Sequence, residues 1–210
     1  MFFLPQWVKL GGPMSWLLLL VSAGAVAVFI ERLLHYHRAQ INSAEFLNGV
    51  RTVLKRENVV EALSICEATP GPVPRLVKTA ILNHEKGREG VREALEEAGL
   101  LEVPRLEEKL NVLATIAQIA PLMGLFGTVL GFMRIFSRIE NAGINIEKQQ
   151  LAGGVWEALI CTALGLAVAI PCYAGYNYLV NRVNSIVLDM EKASTEILNI
   201  VTNKPLPKPQ

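Results

Sequence analysis

Aspartate is almost missing from this chain: Asp189 is the only one in 210 residues. A membrane protease that shares a proton between two aspartates is therefore excluded. Histidine is scarce as well. His35, His37 and His84 all lie outside the three long uncharged stretches 10–30, 110–133 and 158–181, so a serine nucleophile inside a membrane would find no imidazole base there. The three histidines lack the cysteine or carboxylate spacing of a zinc site, and no glycine-rich phosphate loop is present. Cysteine is limited to Cys66, Cys161 and Cys172, which read as free thiols. With a net charge of only +1, the chain has no electrostatic footprint for nucleic acid. These gaps point away from an enzyme, a metal and a cofactor.

What the chain does have is uncharged length. Hydrophobic residues make up 51% of it and the mean hydropathy is +0.35, high for a soluble domain but low for a protein held wholly in lipid. About 20 apolar residues cross a bilayer as helix. The expected order is an N-terminal segment 1–9, a first span 10–30, a charged helical segment 31–109, a second span 110–133, a connector 134–156, a third span 157–181 and a tail 182–210. A cleaved signal peptide is the competing reading of the first stretch, but Glu31 and Arg32 follow it at once without a small-residue cleavage site.

Charge placement orients these spans. Segment 31–109 carries 12 Lys/Arg and 13 Asp/Glu, and the tail adds four Lys/Arg, so 16 of the 20 positive residues fall on one side. That side is expected to be the cytoplasm, with the N-terminus outward and the C-terminus inside. Trp7, Trp16 and Trp156 then fall at outer ends, and Tyr36, Tyr173, Tyr176 and Tyr178 near inner ends.

Segment 31–109 reads as helices. Ala44, Leu47, Val50 and Leu54 have helical spacing, as do Val91, Leu95 and Ala98, with a break at Thr69–Pro74. Pro104 is expected to open a helix running from Arg105 into the second span. The end, Lys204 to Pro209, is expected to be disordered.

Small residues are ordered within the spans. Ala114, Ala117, Pro121, Gly124, Thr128 and Gly131 share one face, and Gly154, Ala158, Thr162, Gly165, Ala169 and Cys172 share another. Such faces let helices approach closely in lipid, and self-association is expected from them. Pro121 and Pro171 are expected to kink their helices and free carbonyls. For Thr128 and Thr162 two readings stand: a hydroxyl bonded back one turn for structural reasons, or a polar site within the bilayer. For Glu157 they are a solvated carboxylate at the outer interface or a functional charge. Gln118 reads as an interhelical hydrogen bond.

Gly124-Leu125-Phe126-Gly127-Thr128-Val129-Leu130-Gly131, followed by the run from Glu157 through Thr162 and Gly165 to Pro171, resembles the ExbB/TolQ/MotA proton-channel family. Ala27-Val28-Phe29-Ile30-Glu31-Arg32 and the three-span layout are similar to its ExbB/TolQ branch; the MotA branch has four spans. The likeness covers nearly the whole chain, although segment 31–109 matches mainly in placement and at Gly71-Pro72-Val73-Pro74. It implies an all-α integral membrane protein of a bacterial inner membrane, with long cytoplasmic helical extensions, assembled as a homo-oligomeric ring that is expected to be a pentamer. It further implies an ExbD/TolR-like single-span partner carrying a membrane aspartate, and a driven TonB- or TolA-like envelope protein. Thr128 and Thr162 would line the proton path and Glu157 would serve as an electrostatic or gating residue. Gly124, Gly127, Gly131 and Gly165 would serve packing, and Pro171 and Pro121 would serve as kinks.

The residues make the partner necessary, because no Asp, His, Lys or Arg lies inside the three uncharged stretches and a proton relay needs a group that changes charge. One proton falling through about 100 mV supplies about 2.3 kcal/mol, so several are expected per mechanical event. Sodium in place of protons stays open, as does the choice between TonB-type and Tol-type systems. The alternative is a non-conducting oligomeric membrane scaffold. The connector, with Arg138, Glu140, Glu147 and Lys148, is more charged than the family pattern, and Cys161 and Cys172 stand where small residues are commoner.

Overall fold

The computed structural model describes residues 12–39, 41–142 and 148–203. The segment 1–9 with Trp7 and Lys9, the first two residues of span one, the Lys148 side chain and the Lys204–Pro209 end lie outside the described residues. Among the described residues there are seven α-helices: α1 (Gly12–Ala39), α2 (Ser43–Lys55), α3 (Val59–Ala68), α4 (Pro72–Leu82), α5 (Gly87–Glu107), α6 (Leu110–Ala142) and α7 (Lys148–Asn203), with a short 3₁₀ turn at His84–Lys86. No strand occurs among the described residues. Three helical stretches are long and apolar enough to cross a membrane, their most apolar windows having mean hydropathies of 2.2, 1.8 and 1.9.

The chain divides into two compact units. The described part of the first comprises residues 12–31, 109–142 and 148–178. Here α1, α6 and α7 meet around the buried trio Leu18, Ala120 and Ala169, with Met123, Leu164 and Val168 against them. At about 1.5 Å per residue, the 33 residues of α6 extend about 50 Å, more than the roughly 30 Å of a hydrocarbon core. Connector 134–156 is accordingly helical at both ends: α6 continues to Ala142 and α7 begins at Lys148.

The second unit comprises residues 32–108 and 179–203 of the described chain. Its most enclosed element is α4, where Val73, Leu76, Val77, Ala80 and Ile81 are all buried. Gly71 sets the entry to α4 at φ 129°, and a Cβ there would stand 2.9 Å from the Ala39 carbonyl oxygen. Pro72 then opens the helix, where its missing N–H costs nothing. Asn42 and Asn58 cap α2 and α3 by the same device. Each side chain accepts from the N–H three residues on, at 3.4 and 3.1 Å, and donates to the carboxylate of that same residue, Glu45 or Glu61. Leu47, Val50 and Leu54 turn inward from α2, and Val91 and Leu95 from α5, as their spacing predicts. Segment 182–203 continues α7 and buries Val183, Ile186, Met190, Ala193, Ile197 and Val201, a near-heptad stripe.

One expectation changes here. Pro104 does not open a helix: it sits inside α5, which runs to Glu107, and the break falls at Lys109, a non-glycine residue at φ 64°. The inward face of α5 carries on past the proline through Leu106, and that packing outweighs the single backbone bond the proline removes. The Tyr36 hydroxyl donates to the Leu106 carbonyl at 2.5 Å, satisfying an acceptor that the end of α5 leaves open. The small-residue faces of α6 and α7 meet each other within one chain: Gly124, Gly131 and Gly165 face Thr162, Ala158 and Ala120 at contact distance.

Glu102 is the one buried carboxylate among the described residues, accepting from Arg75 at 2.9 Å and Arg105 at 2.7 Å. Cys66, also buried, has its thiol pushed up to about 11, chiefly by burial, with Lys78 opposing and Glu67 adding to the rise. The unfolded thiol ionises near 9, so above that pH the unfolded chain loses its proton first. This stabilising contribution is complete below pH 9 and declines as pH rises towards 11, by about 2.7 kcal/mol at most. The alkaline fall in melting temperature between pH 9 and 11 is expected to be shallower in Cys66→Ala than in the unaltered protein; parallel curves would refute the assignment.

Candidate functional site: the α6–α7 polar seam

The polar seam of the first unit is built from the side of α6 that glycine leaves bare. A Cβ on Gly124 would stand 2.9 Å from the Cys161 carbonyl oxygen, and one on Gly165 would stand 2.6 Å from that of Ala120. Backbone therefore meets backbone at this level, and the next side chains along, Thr128 and Thr162, are pressed together. Both are half-buried, and their hydroxyls form a direct hydrogen bond. The Thr128 hydroxyl also lies 3.1 Å from the Gly124 carbonyl on its own helix and 3.2 Å from the Ala158 carbonyl on the other. Thr162 reaches the Gly124 carbonyl at 3.5 Å. Two hydroxyl protons are thus shared among two hydroxyl oxygens and two carbonyls, so more than one donor arrangement satisfies the group. Such a cluster can hand hydrogen bonds along, but a threonine hydroxyl does not hold a charge at neutral pH.

Glu157 lies five residues before Thr162, about 7.5 Å along the α7 axis. Its carboxylate accepts from Arg134 at 3.1 Å, and the two side chains are 34% and 49% exposed. Both groups also press on the start of α1: a Cβ at Gly12 would lie 2.7 Å from Glu157 Oε1 and 3.4 Å from Arg134 Nη1. Gly12 is at φ 66°, where a side chain is strained in any case. A cavity of about 150 Å³ adjoins the pair, lined by Pro13, Met14 and Leu17 of α1, Gly127, Leu130, Gly131 and Arg134 of α6, and Glu157 and Cys161 of α7.

The remaining residues singled out from sequence divide by role. Gly127 packs on Cys161 and Met14, and Gly131 on Ala158. Pro121 is half-buried within α6 and Pro171 exposed within α7. Gln118 is exposed. No cluster of three or more metal-ligating side chains occurs among the described residues. Sequence reasoning missed Arg134 as the partner of Glu157 and Gly12 as the residue that makes room for both. Opposite charges just outside two spans were the available signal.

A profile of the MotA/TolQ/ExbB proton channel family matches residues 68–192. An ExbB homolog of Methanothermobacter thermautotrophicus is 28% identical over 92% of this chain and 67% of its own length. The Tol-Pal system protein TolQ of Haemophilus influenzae is 40% identical over 53% of this chain and 49% of its own. The biopolymer transport protein ExbB of Neisseria gonorrhoeae is 27% identical over 86% of this chain and 87% of its own.

Proposed function

The chain belongs to the MotA/TolQ/ExbB proton channel family, and from that premise we propose that it is the ring-forming subunit of a proton-driven inner-membrane motor of the ExbB–ExbD or TolQ–TolR type. It works with a single-span partner whose membrane aspartate takes up and releases the proton, and it energises a TonB- or TolA-like envelope protein. The ring is a homopentamer with outward N-termini and cytoplasmic C-termini. The observation that carries this reading is the Thr128–Thr162 hydroxyl pair with two backbone carbonyls around it, inside uncharged stretches that hold no Asp, Glu, His, Lys or Arg. A relay without a carrier requires the carrier from another chain.

In this assignment Thr128 and Thr162 conduct, Glu157 acts on the field at the outer end, and the glycines hold α6 and α7 close enough for the hydroxyls to meet. Pro121 and Pro171 each remove one helix bond in the same two elements. The bond from Thr128 back to Gly124 also suits the scaffold alternative, in which the hydroxyl serves only helix packing. Mass analysis of the complex, purified in mild detergent from its native membrane, separates the two. A co-purifying small protein with one span and an aspartate in it is the expected result. An intact oligomer that repeatedly lacks such a protein would leave the scaffold.

A further inference from the structure

Arg134 answers a question the motor reading leaves open, which ion the outer end accepts. An unpaired carboxylate beside a small water-sized cavity is a cation site in the making, since sodium takes carboxylate and carbonyl oxygens readily. Here the carboxylate of Glu157 is already engaged at 3.1 Å by the cationic guanidinium of Arg134. The cavity of about 150 Å³ has room for about five waters at roughly 30 Å³ each. Apart from the pair, its walls are aliphatic, thioether, glycine and thiol groups, so the Glu157 carboxylate is the side chain that would hold a hard cation there, together with water. Gly12 keeps the arrangement tight: with no Cβ to displace it, Oε1 of Glu157 sits against the first described turn of α1.

We propose that Arg134 is a positioning residue that fixes and neutralises Glu157 at this cavity, so that the outer end rejects sodium and leaves the path to protons. The proposal rests on the motor reading for its consequence, but its physical content, a cation site masked by Arg134, is a property of the oligomer alone. A sodium-coupled machine would need the opposite, a carboxylate left open to the cavity.

The test measures melting temperature of the purified detergent-solubilised complex in sodium chloride and in choline chloride at equal ionic strength. Each variant is compared with itself, so general destabilisation cancels. The unaltered protein is expected to melt at the same temperature in both salts. R134Q is expected to melt higher in sodium chloride, the double variant R134Q/E157Q to lose that difference, and R134K to behave as the unaltered protein does. A sodium-dependent rise in the unaltered protein, or none in R134Q, would overturn the proposal. Driven activity of the unaltered complex, measured in the same two salts, keeps the two readings apart: no activity in either salt refutes the motor, whereas the melting comparison still decides the role of Arg134.

Discussion

Gly165→Ala is expected to destabilise the membrane unit by about 3 kcal/mol, the upper part of the range for forcing a methyl into a filled interior. The added carbon would lie 2.6 Å from the Ala120 carbonyl oxygen, 2.9 Å from Gly124 Cα and 3.1 Å from Gly124 N. All three are backbone atoms, so no side chain can swing aside. Either α6 and α7 separate along the seam or the backbone of one distorts. Separation also pulls Thr128 from Thr162, because the hydroxyls meet only while Gly124 and Gly165 are in contact, so the polar cluster should be lost along with stability. Denaturant titration of the protein in detergent measures the effect. Gly24→Ala is the control: a Cβ there meets nothing within 4 Å, and exchanging a helical glycine for alanine gains up to about 1 kcal/mol in backbone terms. Equal stability of Gly165→Ala and the unaltered protein would mean that the two helices do not approach as closely as described.

The same contact explains what sequence could and could not reveal. Spacings of three and four residues showed which sides of α6 and α7 were small, because helical periodicity is local. They could not show what those sides faced: the face of one helix meets the face of the next in the same chain. Thr128 and Thr162 were legible as odd polar groups in apolar runs, but their meeting depends on register across 34 positions, which the two glycine contacts set. Arg134 and Glu157, 23 residues apart, were visible only as charges beside span ends. Pro104 misled for a related reason. A proline is a strong local signal for a boundary, yet the packed face of α5 continues beyond it, and the break came at Lys109, a residue with no conformational preference for the left-handed region it occupies.

Thr128→Val is expected to lower proton-driven activity at least about tenfold, equivalent to roughly 1.4 kcal/mol in the barrier, with little loss of stability. Valine keeps the branched shape and removes the oxygen. The Gly124 and Ala158 carbonyls lose a shared donor, but each retains the backbone N–H four residues on in its own helix, so the cost should stay near the 0.6 kcal/mol typical of such bonds in lipid. The functional cost is larger because the hydroxyl is the point where α6 and α7 exchange a hydrogen bond; without it Thr162 keeps only its 3.5 Å contact to the Gly124 carbonyl. Thr128→Ser restores the oxygen and should retain activity. Thr162→Val should be as harmful, and the double valine variant no worse than either single one, since each already breaks the same link. Proton uptake by vesicles containing the complex with the proposed single-span partner, followed with a pH-sensitive dye, reads the loss directly. If Thr128→Val conducts as the unaltered protein does, the bond back to Gly124 is the whole role of that hydroxyl and the proton path runs elsewhere. If valine abolishes conduction and serine fails to restore it, both the oxygen and the methyl group of Thr128 are required, because valine keeps the shape without the oxygen and serine keeps the oxygen without the methyl group.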